Sequence, residues 1–111
     1  MSKSYAFALQ VIALNKYLVS EKKEYVLSKQ LLRSGTAIGA LIKEGEHAQS
    51  KADFINKMSI ALKEANETTY WLQLLNDSNY INQDEFDTIY PKSEELLKLL
   101  IRIVKTSKRN K

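Results

Sequence analysis

Residues 33–75 read RSGTAIGALIKEGEHAQSKADFINKMSIALKEANETTYWLQLL, the end of one helix, a short connection and the whole of a second helix. In the second helix Phe54, Met58, Ala61, Ala65, Thr68, Leu72 and Leu75 recur at steps of four and three. That is the seam of a helix packed in a bundle. Ser50 stands three residues before Asp53, close to a capping box, with its hydroxyl placed to accept from an early backbone N–H. Asn76, Asp77, Ser78 and Asn79 end the element. In the first helix Gly35 and Gly39 are four apart and share a face. Each costs about 1 kcal/mol of helix stability relative to alanine. Close approach of a neighbouring helix is the expected compensation, and a kink the alternative.

Outward from this stretch, helical periodicity dominates, since one proline and three glycines punctuate the chain. Helices are predicted over residues 3–21, 25–48, 51–76 and 83–107. Asn82 with Glu85 offers a full capping box for the last. Pro91 is expected to kink that helix, or to begin its main part after a short first turn. Residues 21–24 form a polar connection with no breaker. Short links favour antiparallel neighbours, so the fold class is all-α, an up-down-up-down four-helix bundle in one domain of 111 residues.

From Tyr5 to Leu14 only Gln10 is polar. A secretory leader would need a small-residue cleavage site after this run, and Asn15, Lys16 and Tyr17 follow instead. It therefore reads as the first helix. No window approaches the roughly 18 apolar residues of a membrane span. A helix apolar on nearly every side, and a similar end to the last helix, call for more burial than one small bundle provides. Self-association is the expected outcome. With no cysteine, disulfides, thiolate metal sites and thiol catalysis drop out, in keeping with a cytoplasmic location.

No catalytic constellation is apparent. Glu44 and His47 have the Glu-x-x-His spacing of carboxylate di-iron bundles, but those use it twice and this chain has one histidine. A metal or other cofactor is not expected. The carboxylate pairs Glu44–Glu46, Glu64–Glu67 and Glu94–Glu95 lie near lysines at helical spacing, as in Lys63 with Glu67 and Glu94 with Lys98. They read as a solvated, salt-bridged face. Trp71, Tyr70, Phe54 and Tyr80 could offer a base-stacking platform, although packing is the simpler role. Cations say more. Arg102, Lys105, Lys108, Arg109 and Lys111 close the chain without an acid among them, within a formal charge of +4. In an up-down-up-down bundle Lys3, Lys43 and Lys51 are expected at the same pole. The other pole mixes Lys22, Lys23 and Lys29 with Asp77, Asp84 and Glu85. A basic pole attracts a phosphate backbone by counterion release, without sequence readout. A solubilising tail that complements the helix dipole is the competing account.

The segments LSKQLLRSGTAIGALIKEG (27–45) and QSKADFINKMSIALKEANETTYWLQLL (49–75) resemble the 23S ribosomal RNA intervening-sequence proteins, small bacterial four-helix bundles. Their relatives include the accessory variability proteins of diversity-generating retroelements. The resemblance implies a left-handed bundle, assembly as a homopentamer, and a basic surface suited to RNA or DNA. By analogy with the retroelement relatives, it also brings in a reverse transcriptase as a candidate partner. Ala37 and Leu41 stand where the family usually has a serine and an asparagine. They read as an apolar replacement for a hydrogen bond between helices. A first turn seen in relatives is expected to be missing at the short start.

The functional expectation is a non-enzymatic homo-oligomer that binds RNA or DNA through Lys43, Lys51, Arg102, Lys105, Lys108 and Arg109. The rival is a protein-interaction scaffold with an incidental basic pole.

Overall fold

A computed structural model describes residues 2–110. Four helices follow in order: α1 (Lys3–Ser20), α2 (Leu27–Glu46), α3 (Lys51–Asp77) and α4 (Gln83–Arg109). Each packs on its neighbours in the ring α1–α2–α3–α4–α1, and the backbones of the diagonal pairs stand further apart. The result is an all-α, up-down bundle of 47 × 24 × 19 Å.

Side-chain caps set three of the four starts. Ser2 accepts from the Tyr5 N–H at 3.3 Å and Ser50 from the Asp53 N–H at 3.0 Å. Asn82 and Glu85 complete a reciprocal box, at 2.8 Å and 3.0 Å. The start of α2 is different. Lys23 adopts φ 54°, turning the chain, and the buried Glu24 carboxylate accepts from the N–H groups of Val26, Leu27 and Ser28 at 3.1, 2.9 and 2.7 Å. Burial by itself pushes this carboxyl up, yet the backbone donors outweigh it and hold it below its ordinary value. The connection with no sequence breaker is thus made by one carboxylate, and α2 begins at Leu27 rather than at residue 25.

The core takes Phe7, Val11 and Leu18 from α1, Leu31 and Ile38 from α2, and Ile89, Leu96, Leu100 and Val104 from α4. From the α3 seam, Met58, Ala61, Ala65, Thr68, Leu72 and Leu75 are buried and Phe54 packs at the edge. The two glycines face α1. A Cβ on Gly35 would lie 2.8 Å from Val11 Cγ2, and one on Gly39 would lie 3.4 Å from Ser4 Oγ. Close approach is therefore the compensation for their helix cost. Across the α2–α3 seam the buried Ser34 and Thr68 hydroxyls meet at 3.0 Å. Leu41 packs against the core, where the apolar replacement was expected.

Pro91 does not begin the main part of α4, because the helix runs through it from Gln83 to Arg109. Its ring lies on the exposed face, where the Asp87 carbonyl that loses its N–H partner can meet solvent.

Candidate nucleic-acid interface

The helices are unequal, at 18 residues for α1 and 27 each for α3 and α4, and that decides where the cations fall. Lys3, at the start of α1, makes a 2.7 Å ion pair with Glu95. Its hydrogen bond and charge hold the exposed Glu95 carboxyl below its ordinary value. Beyond Glu95, α4 continues through 14 more residues to Arg109, roughly 21 Å at 1.5 Å per residue. Lys3 is thus not at the basic tip. The expectation is corrected: Lys3 reaches back to the last acid of α4 and is paired there.

Past Glu95 the chain has no further acid. Lys98, Arg102, Lys105 and Arg109 follow at steps of four, three and four, and all are exposed. That spacing draws them into one line on the solvent side of α4, opposite buried Leu96, Leu100 and Val104. Lys108 is also exposed but sits off that line, on the side of Ile101. Lys51 comes to the same end, with Nζ donating to the Asn110 carbonyl. Lys43 does not join them. It lines a groove between α1 and α2 with Ser2, Tyr5 and Glu46, on the helix diagonal to α4. Lys111, the fifth cation expected here, lies outside the described residues.

Lys98 was not among the expected site residues because Glu94, four residues before it, reads as its partner. Among the described residues the ion pairs join Lys3 to Glu95, Arg33 to Glu64 and Glu67, and Lys57 to Glu44, leaving Lys98 unpaired. Glu67 likewise goes to Arg33 instead of Lys63. The register of cations along α4 was the available signal.

The other candidates have ordinary structural work. Glu44 is held by Lys57 at 3.2 Å, while His47 is exposed and ends α2. No group of three or more potential metal-ligating side chains gathers among the described residues. Trp71, Phe54 and Tyr80 pack against the core, the last two near opposite ends of α3, so no aromatic platform assembles. Tyr70 is exposed and meets the Trp71 ring edge-on at 5.2 Å. Among the described residues no helix is long and apolar enough to cross a membrane.

These features define a small helical-bundle protein with a basic run along its last helix. The family model of the 23S rRNA-intervening sequence proteins matches residues 1–102, and the chain belongs to that family. It is similar to a solved protein of unknown function from the S23 ribosomal protein family of Bacteroides thetaiotaomicron. That likeness has a TM-score of 0.91 and 58% identity, and covers 93% of this chain and 95% of the other. A search of curated proteins found no match.

Proposed function

We propose that this chain is a non-catalytic, cytoplasmic homo-oligomer, a pentamer by its family resemblance, that binds RNA or DNA through the basic end of α4. The observation that carries the reading is the exposed line Lys98, Arg102, Lys105 and Arg109, unopposed by any acid after Glu95. Lys51 and Lys108 extend it at the tip. The helix dipole accounts for cations in the last turn. It does not account for Lys98 and Arg102, two to three turns further in, because that effect fades within one turn. Lys43 is a weaker member, being placed on another side. Self-association is supported by Tyr5 at 54% and Leu9 at 50% exposure, large apolar side chains left on the outside of α1. The family's name, tied to 23S rRNA, favours RNA as the first probe.

The test is a titration with a labelled RNA hairpin and a duplex DNA at two salt concentrations. The expected result is tight binding at low salt that weakens steeply as salt rises, since each neutralised phosphate contributes about −0.7 to −0.9 to the log–log slope. Arg102→Glu with Lys105→Glu should weaken binding to either probe. No binding at low salt, or a Kd indifferent to salt, would overturn the reading. A protein partner such as a reverse transcriptase that stays bound after nuclease treatment would favour the scaffold instead.

A further inference from the structure

The seam between α1 and α4 is the least closely packed of the four. A trough runs along it in two stretches. The first, of about 500 Å³, has Leu14, Tyr17 and Ile89 as its apolar wall and Asp84 and Glu85 at one end. The second, of about 430 Å³, continues past Phe7 and Leu96 to Lys3 and Glu95. Gln10 lines both stretches and so stands where they meet. Its Oε1 is buried and has no hydrogen-bond partner. A buried acceptor without a donor is costly, so this one calls for a donor that enters along the trough.

The second stretch already holds the chemistry such a donor would bring. There the Lys3 side chain, an aliphatic stem ending in an ammonium, lines the trough and pairs with Glu95 at 2.7 Å. The first stretch repeats the arrangement of an apolar wall leading to carboxylates, but no cationic side chain lines it. Asp84 takes part in none of the ion pairs among the described residues. The capping box uses Glu85 Oε1, which leaves Oε2 for another donor. Lys22 Nζ stands 6.0 Å from the centroid of the Tyr17 ring, so a cation is tolerated beside this end. Because Gln10 belongs to both stretches, it stands level with the part of α4 between Ile89 and Lys92, roughly 8–12 Å along the axis from Asp84.

We propose that the first stretch of this trough binds a linear aliphatic diamine. One ammonium pairs with Asp84 and Glu85, the methylenes lie against Leu14 and Ile89, and the second ammonium donates to Gln10 Oε1. A chain of about four or five methylenes, with hydrogen bonds of about 2.9 Å at both ends, spans the interval. An anion would meet the two carboxylates, and an alcohol brings no charge to them. A monoamine reaches only one of the two acceptor sets. The site lies toward the start of α4, away from its basic end, and stands independently of nucleic-acid binding there.

Calorimetric titration of the full chain at neutral pH and fixed ionic strength tests it, with cadaverine, pentylamine and pentanol as probes. Cadaverine should saturate at one per chain. Pentylamine should bind about tenfold more weakly, for want of one charge-assisted hydrogen bond, and pentanol should not register. Gln10→Leu should bring cadaverine down to the level of pentylamine and leave pentylamine unchanged. Gln10→Glu should tighten cadaverine, a gain that a misfolded chain cannot give, and Asp84→Asn should weaken both amines. Circular dichroism verifies that each variant is folded. Cadaverine that binds no better than pentylamine would overturn the assignment. So would an affinity indifferent to both Gln10 variants, or the absence of saturable binding.

Discussion

At the residue scale the least expected contributor is Glu24. Nothing in residues 21–24 marks a helix start, because glutamate is an ordinary surface residue and its capping role depends on Lys23 turning the chain. Three N–H groups converge on its carboxylate. Glu24→Ala should therefore cost about 1–2 kcal/mol in denaturant unfolding at pH 7, in the range of a lost helix cap. Its folded pKa is depressed from an ordinary 4.5, so the stabilisation is complete above about that pH and is lost as pH falls through the lower folded value. Wild type and variant should converge in stability in strong acid. The glycines give a sharper contrast. Gly39→Ala places its methyl at ordinary contact distance from Ser4 and should raise stability by about 0.5–1 kcal/mol. Gly35→Ala gains the same propensity but drives a methyl into the stiff Val11 side chain, and should lower the Tm. Sequence spacing showed that the two share a face; only the structure separates the tight contact from the tolerant one.

At the scale of elements, the α3 seam was fully legible, because its period is imposed by burial on one side and the sequence carries no conflicting signal. The caps at Ser50 and Asn82 were legible for a local reason, since their geometry spans only four residues. Pro91 was not. A proline inside a helical pattern signals a break, but here the whole of α4 is held by Ile89, Ser93 and Leu96 on its buried side, and tertiary packing carries the helix through. The cost remains in the native state. Pro91→Ala should raise the stability by about 1–3 kcal/mol in thermal or denaturant unfolding, since it restores a donor to Asp87 and removes the ring clash. A loss of stability would mean that the proline is matched to a bend that α4 needs. Asn82→Ala should act in the opposite direction, by about 1 kcal/mol.

At the scale of the molecule, the composition conveyed a basic excess but not its arrangement. Lys3 was assigned to the tip from the antiparallel topology, and the charge run on α4 was truncated at Arg102 because Lys98 carried an apparent partner. Ion pairing is settled by rotamers, so it does not follow from the order of residues. The outward apolar side of α1 was legible as an excess of hydrophobic circumference. Its neighbourhood, a groove floored by Gly39 and Ala40, was not. Unequal helices also shape the dynamics. The last turns of α4 run beyond the beginning of α1, so they have one fewer helix to lean on than the body does. Local opening there costs less than unfolding the whole. Backbone amides after residue 100 should therefore exchange with deuterium well ahead of those near Leu72. A polyanion clamped along these last turns would slow that exchange without touching the body, giving a record of occupancy written in the peptide groups.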